Sequence, residues 1–197
     1  MLSILILAAG SSSRMRGGDK LLEQIDGVPQ LVRAVSAALQ TGRPVLVALD
    51  PARRDRIAAL AGLAYRPVAV PDTAEGMAVS LRAGLAACPD GAVLVHLADL
   101  PEIGAEDLRH MIAAHHETPE MILRATDAEG RPGHPVIFPD WARPALASLS
   151  GDVGAKHLFK TEKARLRQIA LPGLRATTDL DTPEDWETWR AEKEKGR

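Results

Sequence analysis

The stretch SILILAAGSSSRMRGGDKLL, residues 3–22, joins an unbroken apolar run to a flexible and basic loop. The apolar run over 3–8 predicts a strand that is covered on both faces, because parallel strands packed between helices lack the polar alternation of half-exposed strands. Ligands of open α/β sheets bind beyond the carboxyl ends of the strands. The loop that follows this strand is therefore the first candidate for a binding site.

Short apolar segments alternate with helix-like patterns along the rest of the chain. Strands are predicted at 44–50, 65–70, 92–99, 121–125, 135–138 and 166–171, and helices at 29–40, 51–63, 77–87, 105–116, 140–149, 153–159 and 182–194. Strands that alternate with helices form βαβ units, so we expect an α/β fold with a mostly parallel sheet between two helical layers. No linker or repeat divides the chain, which predicts a single domain over 1–197.

The composition narrows the class of protein. The 197 residues carry a net charge of −2, which argues against a nucleic-acid partner, because such proteins usually carry a basic surplus on one face. Cys88 is the single cysteine, which excludes an internal disulfide or a thiolate zinc site and favours a reducing cytoplasm. The N-terminus lacks the pattern of a signal peptide, and the run at 4–7 is too short to cross a membrane. We expect a cytoplasmic protein with no membrane partner.

The loop after the first strand has the properties that suit a polyphosphate. Its glycines permit a close approach of the backbone, its serines offer hydroxyls and exposed amides, and Arg14, Arg16 and Lys20 supply positive charge. The loop matches neither GxxxxGK[ST] nor GxGxxG. On these features alone, a solvated turn between a strand and a helix stays an alternative.

Residues 7–22 resemble the signature loop of the MobA-like nucleotidyltransferases, which reads roughly LA[AG]GxSxRMGxxK. The resemblance implies a Rossmann-like three-layer sandwich of the nucleotide-diphospho-sugar transferase type, with a nucleotide-binding half at about 1–100 and an acceptor-binding half at about 101–190. It also implies that Arg14 and Lys20 hold the phosphates, and that the nucleotide contacts Leu7, Ala8, Ala9, Gly10 and Ser11. Arg16 departs from the family's RMGG pattern and leaves the register of Gly17 and Gly18 open.

Two acidic segments are candidates for metal binding. Asp99 ends a predicted strand in LADLP, where a carboxylate can reach the ligand crevice and hold Mg²⁺, a cation that prefers oxygen ligands; a turn or helix cap is the alternative. LADLP resembles the family's LADMP element, which implies a metal ligand. The segment TTDLDTPED at 177–185 resembles the family's D[IL]DTPED. Asp179 and Asp181 alternate along it and point the same way, so Asp181 is the candidate second metal ligand and Asp179 an acceptor-side candidate, unless both only cap the last helix.

Three further elements resemble parts of the family's cleft. EGMAVSLRAGL at 75–85 is similar to GMxxSLxxG, which implies that Gly76 and Ser80 contact the nucleotide; an ordinary helix N-terminus is the alternative. GRPGHPVIFP at 130–139 and SGDVGAKHLF at 150–159 are similar to the RGxPVLF and GDxGAR elements of the cytidylyltransferase branch. These two imply an acceptor side that contains His134, Asp152 and Gly154. A structural hydrogen bond is the alternative role for His134.

The resemblance as a whole implies an Mg²⁺-dependent nucleotidyltransferase, with Mn²⁺ as a substitute ion and with Lys20, Arg14 and Asp99 as catalytic residues. LAAG is typical of the family's cytidylyltransferases and LAGG of its guanylyltransferases, so Ala9 points to CTP. The implied acceptor is molybdopterin or the molybdenum cofactor, with release of pyrophosphate and a molybdoenzyme as the recipient of the product. Two alternatives stay open. One is transfer within the same fold to another small phosphate (GTP to molybdopterin, a sugar phosphate or phospholactate), and the other is a nucleotide-binding oxidoreductase or regulatory module.

Overall fold

The computed structural model describes residues 1–71, 76–148 and 155–195. In chain order the strands are β1 (Leu2–Leu7), β2 (Gln24–Ile25), β3 (Val28–Pro29), β4 (Val45–Leu49), β5 (Arg66–Ala69), β6 (Ala92–Leu97), β7 (Ile122–Thr126), β8 (Pro132–Phe138) and β9 (Leu166–Ala170). The helices are α1 (Gln30–Leu39), α2 (Arg54–Ala59), α3 (Met77–Ala87), α4 (Ala105–Glu117), α5 (Arg143–Ala147), α6 (Lys156–Thr161) and α7 (Pro183–Lys195). Within these ranges, no helix is both long and apolar enough to cross a membrane.

Seven of the strands form one sheet in the order β5-β4-β1-β6-β8-β7-β9. β1 pairs in parallel with β4 on one side and with β6 on the other, while β8 runs antiparallel to both of its neighbours. The chain thus leaves β1 in one direction and later returns to its other side. The carboxyl ends of β1 and β6 consequently flank a topological switch point, where α/β sheets bind ligands. The predicted α/β class is confirmed.

β1 lies inside the sheet, between β4 and β6, and is covered on both faces. Ile4 and Ile6 pack with side chains of α1 and α4, whereas Leu5 and Leu7 pack with side chains of α3, α5 and α6. All six residues of the strand are buried. Burial on both faces explains why residues 3–8 show no polar alternation, and it gives the loop that follows a fixed starting point.

The structure differs from the sequence prediction mainly at the ends of elements. The helix predicted over 51–63 is only six residues long as α2, because a turn occupies the residues before it: the Asp50 carboxylate accepts a hydrogen bond from the Ala52 amide at 2.8 Å. The short hairpin of β2 and β3 was not predicted. The helix predicted over 140–149 begins as a 3₁₀ turn at Asp140–Ala142 and continues as α5.

Gly133 in β8 lies against the backbone of Ala176, in the segment that leads to the candidate site residues Asp179 and Asp181. A Cβ built on Gly133 would overlap the carbonyl of Ala176, whose oxygen already accepts a hydrogen bond from the His134 amide at 3.0 Å. Backbone atoms cannot yield as a flexible side chain does, so we expect Gly133→Ala to lower the free energy of unfolding by roughly 1–3 kcal/mol. Thermal denaturation measures this loss. Gly10→Ala is the control, because a Cβ at Gly10 meets nothing within 4 Å; equal melting temperatures for both variants would contradict the prediction.

Candidate active site

A cavity of about 390 Å³ opens at the carboxyl ends of β1 and β6. Its walls come from the loop after β1, the start of α3, the end of β6 and the segment before α7. The nine residues predicted to contact the nucleotide all line it: Leu7, Ala8, Ala9, Gly10, Ser11, Arg14, Lys20, Gly76 and Ser80. The same walls contain Asp99, Asp179 and Asp181. The switch point therefore brings together side chains that lie far apart in the sequence.

Asp99, Asp179 and Asp181 form a triad whose carboxylate oxygens lie within 4.8 Å of one another. Within the part of the chain that the structure describes, they are the one group of acids, histidines or cysteines clustered closely enough to hold a metal ion. Carboxylate oxygens are the ligands that Mg²⁺ and Mn²⁺ prefer. The buried Asp99 Oδ1 has no hydrogen-bond partner among the described residues, which leaves it available to a cation. The residues present therefore fit a divalent metal.

The ammonium group of Lys20 lies inside this triad. Lys20 Nζ is 2.6 Å from Asp99 Oδ2, 2.6 Å from Asp181 Oδ1 and 3.5 Å from Asp179 Oδ1. Burial alone would lower the pKa of Lys20, but the charge of Asp99 and the hydrogen bonds to Asp181 and Asp99 outweigh burial and raise that pKa well above its ordinary value. Lys20 is consequently positively charged at neutral pH.

Arg14 adds a second positive charge at the other carboxylate oxygen of Asp181. Its guanidinium forms an ion pair with Asp181 while most of the Arg14 side chain remains exposed to solvent. Two cations thus face three carboxylates across one cavity. Each cation can neutralise a bound phosphate when it moves away from the carboxylates.

Asp181 is positioned by the start of α7 without capping it. Thr182 and Asp185 form the cap: Thr182 Oγ1 accepts from the Asp185 amide at 3.2 Å, and Asp185 Oδ2 accepts from the Thr182 amide at 2.8 Å. Asp185 Oδ2 also accepts from the Asp181 amide at 3.1 Å. The backbone of Asp181 is held in place, and its carboxylate is free to face Lys20. Helix capping was the alternative role for Asp181, and the structure gives that role to its neighbours.

Arg56 of α2 holds the loop together from beneath, a role that no sequence motif predicts. The side chain is fully buried. Its Nε and Nη2 donate to the two oxygens of Asp19 at 2.6 and 2.8 Å, its Nη1 donates to the Ala8 carbonyl at 2.6 Å, and its Nη2 also donates to Ser12 Oγ at 3.0 Å. One guanidinium therefore links the beginning, the middle and the end of the loop.

Asp19 completes this network. Its Oδ1 accepts from the Leu21 amide at 3.0 Å and from Ser12 Oγ at 3.1 Å. Burial favours the neutral carboxyl, yet the hydrogen bonds and charge of Arg56 hold the pKa of Asp19 below its ordinary value. Ser12 has a positive φ of 53°, which is uncommon for a residue other than glycine and needs support from its surroundings. The two contacts of its hydroxyl supply that support.

Arg16 lies away from the cavity. Its guanidinium pairs with Glu184 at 2.7 Å, and both side chains are largely exposed. Its φ is 50°, and it closes the 3₁₀ turn Ser13–Met15. This cation, which departs from the family's usual pattern, connects the loop to the first turn of α7 at the surface.

The predicted acceptor side is only partly described. Asp152 and Gly154 lie outside the described residues, so their roles stay predictions. His134 is partly buried, and burial together with the nearby charge of Arg124 lowers its pKa to about 4. It is therefore neutral at physiological pH and would offer a hydrogen bond rather than a charge. The structure does not include His134 among the described residues that line the cavity.

A model of the MobA-like NTP transferase domain matches residues 4–168. The chain belongs to the MobA-like NTP transferase family. It is 30% identical over 188 residues to nicotine blue oxidoreductase of Paenarthrobacter nicotinovorans, with 91% of each chain covered. It is 26% identical over 186 residues to a probable molybdenum cofactor guanylyltransferase of Nostoc sp., with 93% of this chain and 88% of the relative covered.

Other similar proteins share the whole fold or one part of it. The bifunctional protein GlmU of Leifsonia xyli is 33% identical over 120 residues, which are 58% of this chain but 25% of that protein; the chain thus matches about a quarter of the length of this relative. Rv0371c of Mycobacterium tuberculosis H37Rv superposes with a TM-score of 0.82 at 28% identity, covering 95% of this chain and 96% of Rv0371c. A complex of Rv0371c with manganese superposes with a TM-score of 0.78. The family and the fold are those of a nucleotidyltransferase.

Proposed function

We propose that this MobA-like transferase moves CMP from CTP to molybdopterin or the molybdenum cofactor and releases pyrophosphate in a reaction that depends on Mg²⁺ or Mn²⁺. The observation that carries the proposal is the meeting of the acidic triad with Lys20 and Arg14 in the cavity at the switch point. Opposed carboxylates and cations of this kind suit the transfer of a phosphoryl-type group, in which charge stabilisation and positioning supply most of the catalysis.

Each residue would have a defined part in the reaction. Asp99 and Asp181, with Asp179 beside them, would hold the divalent cation, which when bound neutralises charge on the triphosphate during attack at the α-phosphorus. Lys20 and Arg14 would bind the phosphates. An oxygen of the acceptor phosphate forms the new bond to the α-phosphorus, and the bond from that phosphorus to the bridging oxygen breaks as pyrophosphate leaves. A phosphate monoester is largely dianionic at neutral pH, so no general base is required.

Different observations support the proposed acceptor and the proposed nucleobase of the substrate. The probable molybdenum cofactor guanylyltransferase of Nostoc covers nearly the whole chain, and its name supports a molybdopterin-type acceptor. The LAAG segment, which is typical of cytidylyltransferases, supports CTP. Ala9 is almost fully buried and still lines the cavity, where a single methyl group can restrict which base fits.

The direct test is the release of pyrophosphate with CTP, GTP or ATP, in the presence and absence of molybdopterin and with or without Mg²⁺. We expect release only when CTP, molybdopterin and the metal are all present. Release with a sugar phosphate in place of molybdopterin would reassign the acceptor and retain the transferase. The absence of release with every nucleotide and acceptor would contradict the proposal.

A second candidate function is favoured by one comparison. Nicotine blue oxidoreductase covers 91% of this chain at 30% identity, so a nucleotide-binding oxidoreductase is the alternative of another class. Thermal shift assays with CTP and Mg²⁺ and with NADPH separate the two. Stabilisation by NADPH alone would favour the oxidoreductase, whereas stabilisation by CTP that requires Mg²⁺ would favour the transferase.

Ala9→Gly is expected to shift the preference of the enzyme from CTP towards GTP. Removal of one methyl group from the wall of a pocket typically changes the ratio of kcat/KM for two substrates by roughly 10-fold or more. The ratio of kcat/KM for CTP and GTP measures the change. Ala8→Gly is the matched control, because Ala8 borders the same cavity while its side chain packs in a different core cluster from that of Ala9. An unchanged ratio in Ala9→Gly would place base selection elsewhere.

A further inference from the structure

The ammonium of Lys20 occupies the point at which the triad would hold a cation. Its Nζ lies within 2.6 to 3.5 Å of one oxygen from each of Asp99, Asp179 and Asp181. Only 14% of the side chain is exposed. The triad is therefore already neutralised in part by a group of this chain, and Arg14 neutralises Asp181 further.

A metal ion and this ammonium cannot occupy the triad together. Mg²⁺ binds oxygen at 2.0–2.1 Å, so an ion shared by these carboxylates would lie at nearly the same position as Nζ. Two positive charges at that distance repel each other strongly, and only 14–23% of each of the side chains of Lys20, Asp99 and Asp181 is exposed to screening by water. Metal binding by the triad thus requires Lys20 to move away.

Phosphate gives Lys20 a place to move to. Towards the loop after β1, the described wall of the cavity offers serine hydroxyls and the exposed guanidinium of Arg14, and it contains no carboxylate besides those of the triad. Without a nucleotide, a displaced Lys20 would lose its anionic partners and gain none. With a triphosphate in the cavity, Lys20 and Arg14 can exchange carboxylate oxygens for phosphate oxygens, and the triad is released for the metal.

We infer that Lys20 makes the triad selective for a metal–nucleotide complex over a free divalent ion. This inference rests on the site of the proposed function and adds a specificity role for Lys20 in the absence of substrate. Linkage is reciprocal for binding free energies. A triphosphate that draws Lys20 out of the triad therefore raises the affinity for the metal, and the bound metal raises the affinity for the triphosphate.

The test is the binding of Mn²⁺ without nucleotide, followed by electron paramagnetic resonance of the free ion or by calorimetry. Removal of the competing charge in Lys20→Met should tighten Mn²⁺ binding roughly 10- to 100-fold relative to the wild type, within the usual range of coupling between two ligands. The affinity for Mn²⁺ and the activity should change in opposite directions, because the same substitution should abolish nucleotidyl transfer. Lys20→Gln should give the same gain and serves as the second variant if Lys20→Met is unstable.

Two controls show where the ion binds. Arg16→Met removes a cation of the same loop that pairs with Glu184 outside the cavity, and it should leave Mn²⁺ affinity unchanged. Asp181→Asn combined with Lys20→Met should cancel the gain, because it removes a ligand of the triad. A gain that survives in the double variant would place the ion elsewhere and overturn the inference.

The outcomes separate this inference from the proposed function. Mn²⁺ binding to Lys20→Met and Lys20→Gln that is no tighter than to the wild type overturns the inference, even if the wild type transfers CMP. A wild-type chain that binds Mn²⁺ at micromolar concentration without nucleotide overturns it regardless of the variants. Tighter Mn²⁺ binding by the variants supports it even if no nucleotide or acceptor yields pyrophosphate, in which case only the proposed function fails.

Discussion

Asp99→Asn should lower kcat for metal-dependent nucleotidyl transfer by roughly 10²- to 10³-fold, the usual cost of removing one group that stabilises charge in the transition state. The substitution keeps the size of the side chain and replaces a carboxylate oxygen of the triad by an amide. It also removes one of the two ion pairs that Lys20 makes at 2.6 Å. Steady-state kinetics at saturating CTP, over a series of metal concentrations, measures the loss.

Glu102→Gln, a substitution in the same segment of the chain, is the control. Glu102 lies three residues after Asp99, and its carboxylate contacts Trp189 Nε1 and Lys193 Nζ, both at 2.9 Å, outside the triad. Glu102→Gln should therefore retain nearly full activity. Equal losses in the two variants would indicate a general effect of this segment on the fold. Near-full activity of Asp99→Asn, at any metal concentration, would exclude Asp99 as a metal ligand.

The fold was predictable because its signals are local and repeated. Apolar runs such as 3–8 and 92–99 identify the strands that are buried on both faces, and the helical patterns between them impose parallel pairing. The direction of β8 was not predictable from such patterns. An apolar run reads the same in either direction. The signal for its orientation is the short connection between β7 and β8, because parallel strands need a crossover of a dozen or more residues.

The site was predictable to the extent that its residues lie at strand ends or in the signature loop. Asp99 is predicted at the ligand crevice because it ends a strand, and Asp181 is predicted to join it because TTDLDTPED resembles the family's closing element. The sequence predicts Asp179 on the acceptor side, and the structure places its carboxylate in the triad as well. That proximity follows from the two-residue spacing of Asp179 and Asp181, which directs both side chains to one side.

Arg56 could not be predicted from the same reasoning. It belongs to the charged run ARRDR, which in sequence is typical of a solvated helix face, and its partners lie 37 or more residues away. The short length of α2 and its position beneath the loop turn this one arginine inwards, while Arg54 of the same helix stays exposed. Such a contact depends on the packing of two loops, which no local pattern encodes.

Arg56→Met is expected to lower the free energy of unfolding by about 3 kcal/mol or more, because it leaves the largely buried carboxylate of Asp19 without its partner. For a chain of this size, the corresponding decrease in melting temperature is roughly 6–12 °C. Arg54→Met is the matched control on the exposed side of α2 and should melt within a degree or two of the wild type. Differential scanning calorimetry measures both.

The stability that the Arg56–Asp19 pair contributes should also depend on pH. In the wild type the pKa of Asp19 is held below its ordinary value of 3.8, so this pair stabilises the fold above that pH, and the contribution disappears as the pH falls through the lowered pKa. In Arg56→Met, the unpaired carboxyl is favoured in its neutral form. The difference in stability between variant and wild type should therefore become smaller as the pH decreases towards and below 3.8; a difference that stays constant would contradict the role of this pair.

Arg56→Lys separates positioning of the loop from stability. Lysine keeps the positive charge beside Asp19, but its ammonium cannot reproduce the planar fork that reaches Asp19, Ala8 and Ser12 together. We expect most of the stability to return while KM for CTP stays raised and kcat changes less, because the loop that binds the nucleotide is no longer held at three points. If KM recovers together with stability, the buried arginine acts through charge alone, and the geometry of its hydrogen bonds is not what positions the loop.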